Sequence, residues 1–144
     1  MMGLAALLNA CGGTGPSDPQ VRALDEAQAR WESLGPGSYV YALSRQCFCP
    51  LEYIGPARVT VDDGAVVSRV YVDSGDPVPA AYDFPTVDGL FEVLRSALEQ
   101  EADEILVTYD PDLGVPLEIW IDYEHMAADE ELGYVVTEAV AAIP

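Results

Sequence analysis

A chain of 144 residues, half of them apolar, is long enough to bury one substantial core and too apolar to stay disordered. Against 25 Asp and Glu stand six cations, all arginine, and the formal charge of -19 excludes a nucleic-acid or anionic-lipid surface, because phosphate binding needs clustered Lys and Arg. The acidity reads first as a solvated surface that resists aggregation or suits a salty medium, and second as a face for a basic partner or a divalent cation.

Gly3 to Ala10 is an apolar run far below the roughly 20 residues that span a bilayer. It ends at Leu8-Asn9-Ala10-Cys11 and is followed by Gly12-Gly13-Thr14-Gly15-Pro16-Ser17, a flexible tether. An apolar run, a small residue, a cysteine and a loose linker together resemble a bacterial lipoprotein signal. The resemblance implies that Cys11 carries the lipid, that residues 1–10 are the signal segment, 11–17 the tether and 18–144 one folded domain. The domain is then exported and anchored to the cell membrane or outer membrane. No Lys or Arg precedes the run, whereas export signals open with positive charge, so the signal is expected to be truncated and its true start to lie upstream.

Asp18-Pro19 starts a helix, an N-cap oxygen followed by proline in the first turn. Val21, Leu24, Gln28, Trp31 and Leu34 recur at helical spacing on its inner face, and Gly35-Pro36-Gly37 stops it. Tyr39 to Phe48 reads as the first strand, with Tyr39, Tyr41 and Leu43 on one side. Ala57 to Asp62 and Ala65 to Asp73 form a hairpin around Asp63-Gly64. Ser74 to Pro85 is a proline-rich loop, and Thr86 caps a second helix whose inner face holds Val87, Leu90, Phe91, Leu94, Leu98 and Ala102.

Ile105 to Tyr109 and Leu117 to Tyr123 flank Asp110-Pro111-Asp112-Leu113-Gly114, which writes a second hairpin. In its second strand Leu117, Ile119, Ile121 and Tyr123 point one way and Glu118, Trp120 and Asp122 the other, so one face is buried and the other mostly wet. Glu124 to Leu132 is a loop. Gly133 opens a final run in which Tyr134, Val136 and Val140 alternate weakly, read as an edge strand with a terminal helix as the rival. The order predicts an α+β domain, an antiparallel sheet of five to six strands with two helices packed on one face.

If Cys11 is lipidated, Cys47 and Cys49 remain as an even pair in an oxidising compartment. Residues i and i+2 of a strand sit near the limit of disulfide reach, so bridging them requires the backbone to bend, and Pro50 is compatible with the strand ending there. Three states stay open: a local disulfide, two reduced and partly buried thiols, and a metal or redox role. No second Cys pair exists and the single His125 is distant, so no four-ligand zinc set is visible.

The pattern resembles a family of uncharacterised bacterial secreted proteins and lipoproteins, a domain of unknown function. The residues that carry it are Trp31, the Tyr39 and Tyr41 strand, Cys47-Phe48-Cys49, the Asp63-Gly64 turn, Leu90-Phe91, Tyr109-Asp110-Pro111 with Gly114 and Pro116, Asp122 and Asp129-Glu130. The resemblance implies fold and location and brings no activity with it. It makes the second hairpin tip, Tyr109, Asp110, Gly114 and Pro116, a candidate binding site, although Val115 stands where the family is aromatic.

Catalytic signatures are absent. Gly12-Gly13-Thr14-Gly15 lacks the Lys and the strand of a phosphate loop, and no serine sits in a nucleophile elbow. His125 reads as a surface residue, and Asp110 to Gly114 fails as a calcium loop, with its glycine one place early, no ligand at the fifth position and Ile121 in the place of the closing Glu. The chain is therefore expected to be a lipid-anchored envelope protein that binds or supports rather than catalyses, with no cofactor and no metal. Its expected partners are the membrane, through the anchor, and an envelope protein. The alternative is an envelope thiol-redox or metal-binding protein using Cys47 and Cys49, with a hydrolase built on paired carboxylates as a third option.

Overall fold

The computed structural model describes residues 18–126 and 130–144. Cys11, the tether and Asp129 lie outside the described residues. Helix α1 spans Pro19–Leu34, β1 Tyr39–Gln46, the short α2 Leu51–Ile54, β2 Ala57–Asp62, β3 Ala65–Tyr71, α3 Val87–Glu99, β4 Glu104–Tyr109, β5 Pro116–Asp122 and β6 Glu131–Ala142. All six strands form one antiparallel sheet in the order β3-β2-β1-β6-β5-β4, and α1 and α3 cover one face of it.

Local chemistry accounts for the helix starts. Asp18 Oδ1 accepts from the Gln20 amide at 2.8 Å, and Thr86 Oγ1 accepts from the Gly89 amide at 3.0 Å, each satisfying a donor that a first turn leaves orphaned. Leu24, Ala27 and Trp31 form the buried stripe of α1. Trp31 meets Tyr39 edge-on with ring centroids 5.3 Å apart, and its Nε1 donates to Asp88 at the start of α3, 2.9 Å away. The Tyr39 hydroxyl accepts from the Val87 amide at 3.0 Å, so one strand residue locks both helices. Leu34, expected inside, is 61% exposed, while Ala27, which the spacing passed over, is buried.

Three elements depart from the sequence reading. The first strand stops at Gln46, because Cys47 to Cys49 form a bend rather than extended chain. Pro50 is followed by α2, four residues too short to carry a periodic signal. The largest departure is β6, which is a twelve-residue strand at the centre of the sheet, paired with β1 on one side and β5 on the other. Its alternation is weak because the β1–β6 register shifts twice, between Val40 and Ala42 and between Ala42 and Leu43. Each such irregularity inserts an unpaired residue and breaks period two in a strand that nonetheless runs beside β1 from Gly133 to Ala142.

Candidate functional site

With both helices on one side, the other face of the sheet is bare among the described residues, and register writes its surface in rows. Leu106, Trp120, Gly133 and Gln46 line up across β4, β5, β6 and β1. Beside them run Thr108, Glu118, Val135 and Ser44, and at the strand ends Glu104, Asp122 and Glu131. Trp120 is half-buried beside Leu106, which is 56% exposed. Gly133 makes this bed possible, since a Cβ there would sit 3.0 Å from both Gln46 Oε1 and the Ile119 carbonyl. The result is a depression of about 410 Å³ lined by Gln46, Leu106, Thr108, Glu118, Trp120 and Val135. Farther across, Arg58 donates from Nε and one terminal nitrogen to Glu138 at 2.9 and 2.6 Å, spanning Ala42, which pairs with both residues. That forked pair raises the Arg58 pKa and lowers that of Glu138.

Alternation places Asp122 on this face, but only 9% of it is exposed. His125 Nδ1 lies 2.6 Å from Asp122 Oδ2, while Oδ1 has no partner among the described residues. The His125 amide donates to Asp103 Oδ2 at 2.7 Å, which folds the turn back over the strand end. Reading His125 as a lone surface residue missed this pairing. The three-residue spacing from Asp122 across a turn was the available signal.

At one end of β1 the Cys47 and Cys49 sulfurs are in bonding contact, with Cα atoms 5.3 Å apart, and the bend anticipated for such a pair is present. Between them Phe48 is 87% exposed. The flanking chain is well tied down. Arg45 lies over the rings of Tyr53 and Tyr134, with centroid distances of 5.9 and 5.3 Å. It donates to the Tyr134 hydroxyl at 2.9 Å and to the Asp83 carbonyl. Tyr53 on α2 packs on Tyr82 with centroids 4.2 Å apart, and Arg69 Nε donates to the Phe84 carbonyl at 2.7 Å. The Tyr41 hydroxyl donates to the Pro85 carbonyl. Burial pushes the Tyr41 and Tyr134 phenols up, and Arg45 partly offsets the shift at Tyr134. Tyr82 to Pro85, held by these contacts, form a strap, and between it and α3 lies a second depression of about 420 Å³ whose walls include Arg69, Asp83, Pro85, Glu92 and Tyr123.

The β4–β5 tip has a different character. Asp110 Oδ2 accepts from the Leu113 amide at 2.9 Å, shaping the turn, and Gly114 takes a positive φ of 80°. A Cβ on Gly114 would lie 2.2 Å from the Ala27 carbonyl, so the tip sits directly on α1. Gly114, Val115 and Pro116 are buried, and Tyr109 is half-buried with its phenol pushed up to about 12 by burial. The candidate binding tip is therefore packed against a helix, and Gly114 and Pro116 offer a ligand no open surface.

Among the described residues no cluster of three or more His, Cys, Asp or Glu is placed to hold a metal ion, and no helix is long and apolar enough to cross a membrane. No curated protein and no solved structure matches the chain. A family model does match, over residues 23–141, from the second turn of α1 to the last residues of β6. The chain belongs to this family, DUF6174, a family of unknown function.

Proposed function

We propose that the chain is a lipid-anchored protein of the bacterial cell envelope that acts as a binding module, with the bare sheet face around Trp120 as its contact surface. The observation that carries the reading is the half-buried Trp120 on an uncovered face, levelled by Gly133 and flanked by Gln46, Thr108 and Glu118. An aromatic plane ringed by a few polar groups is the usual make-up of a recognition surface. The anchor rests on the Leu8-Asn9-Ala10-Cys11 run and the tether after it. A net charge of -19 makes an envelope protein a better partner than nucleic acid.

Two measurements test this. Labelled fatty acid should enter the wild-type chain and not Cys11→Ala, and the protein should pellet with membranes. Native protein recovered from cytoplasmic extract with its first ten residues uncut ends the anchored reading. For the surface, a photo-crosslinker at Leu106 should give a discrete envelope adduct that is lost when the probe moves to Glu26 on the outer side of α1. Equal labelling from both positions counts against it.

A second reading, an envelope thiol-redox protein, is favoured by the sulfur contact of Cys47 and Cys49 beside the exposed Phe48. Mass spectrometry of unreduced protein with thiol alkylation separates the two. A bridge untouched by glutathione supports a structural pair, and ready reduction supports redox work.

A further inference from the structure

We propose that the Cys47–Cys49 pair is a redox latch on the strap that walls the depression over α3. The pair closes the chain between two residues that grip that strap. Arg45 precedes it at the end of β1 and reaches the Asp83 carbonyl, and Tyr53 follows it on α2 and packs on Tyr82 at 4.2 Å. Arg45 and Tyr53 also meet each other, the guanidinium 5.9 Å from the ring centre. A covalent link across Cys47-Phe48-Cys49 holds the direction in which the chain leaves β1, and so sets where α2 presents Tyr53.

The strap has two kinds of attachment. Phe84 is fully buried, its carbonyl is held by Arg69, and the Pro85 carbonyl is held by Tyr41. Both of those partners belong to the sheet and owe nothing to the cysteines. Arg45 is likewise a sheet residue, so the Asp83 carbonyl stays held, whereas Tyr82 rests on Tyr53, which follows the pair on α2. Reduction therefore loosens the strap at Tyr82 and leaves Asp83 to Pro85 seated. Tyr82 adjoins Asp83, which lines the depression and lies 4.0 Å from Arg69, so reduction slackens the edge of that wall.

The chemistry balances with a dithiol as reductant. One thiolate attacks a sulfur of the pair to give a mixed disulfide, and the second displaces it. The chain gains two electrons and two protons as free Cys47 and Cys49 thiols, and the reductant leaves as its own disulfide. None of this requires Cys11 to be lipidated, so the latch and the anchor fail separately.

Hydrogen exchange on the full chain, oxidised and then reduced with dithiothreitol, reads the latch. Amides of residues 81 and 82 should exchange at least about threefold faster on reduction, while those of 113–115 at the packed hairpin tip stay unchanged. The Tyr53→Ala variant, kept oxidised, should show the same local rise. The Cys47→Ser/Cys49→Ser variant should show it permanently and ignore dithiothreitol. Identical exchange at 81 and 82 in both redox states overturns the proposal, as does an equal rise at 113–115, which marks general loosening. An oxidised Tyr53→Ala protein with an undisturbed strap overturns it too, because the latch then has no route to Tyr82.

Discussion

The molecule carries two turns that each place a proline near a strand end, and their fates are opposite. The β4–β5 tip, Asp110 to Pro116, folds onto α1 until Gly114 touches the Ala27 backbone and Val115 and Pro116 vanish from the surface. The Cys47–Cys49 bend projects Phe48 outward almost completely exposed. Aromatic and proline content does not distinguish them, since each has an aromatic residue and a proline near a strand end. The difference lies in what stands opposite. A helix passes the first turn, whereas the second is held from behind, through Arg45 and Tyr53, with nothing in front among the described residues. An exposed apolar residue on a braced backbone is a candidate contact, and a buried one on a docked turn is architecture.

The comparison breaks most sharply at Trp31, which anchors the helix that receives the tip. Trp31→Ala should cost roughly 3 to 5 kcal/mol in urea unfolding, and a loss below about 1 kcal/mol would mean that α1 is not docked. Gly114→Ala adds a strained backbone at φ 80° to a clash with Ala27, and should cost about 3 kcal/mol. Equal stability of Gly114→Ala and wild type would undo the assignment of the tip to packing.

Alkaline titration sharpens the packed side further. Burial raises the Tyr39 and Tyr109 phenols to about 12, against about 10 in an unfolded chain. The folded state holds these protons longer than the unfolded state, so their contribution is complete below pH 10 and is lost as pH rises from about 10 to about 12. Unfolding free energy should fall through that window, and Tyr109→Phe should flatten the fall. A slope unchanged by that variant would place Tyr109 outside the core. Smaller is the effect of salt: screening the excess carboxylates should raise the melting temperature near neutral pH, and a flat or falling response to NaCl contradicts it. The smallest effect is on the exposed side, where Phe48→Ala should change stability by under about 0.5 kcal/mol.

Local signals were legible wherever local chemistry decides. The Asp18 and Thr86 caps, the Asp63-Gly64 hairpin, the inward Tyr39, Tyr41 and Leu43 and the two-sided β5 all occur where the sequence predicts them. Caps, turns and alternation involve neighbours a few residues apart, and helices of 16 and 13 residues carry enough periods to be seen. The candidate surface was half visible. Outward-facing Trp120 and Glu118 were read from alternation, but their place beside Gly133 and Gln46 comes from pairing partners remote in sequence.

By itself the sequence determined an acidic α+β domain with two capped helices on one face of an antiparallel sheet, because burial periodicity and capping are short-range properties of the chain. Only the tertiary structure decided that β6 runs through the middle of the sheet, that His125 lies against Asp122, that the hairpin tip is buried and that Arg45 grips the strap. Each of these depends on which distant segments come to lie side by side, a choice made by closing the whole core at once rather than by any one stretch of residues.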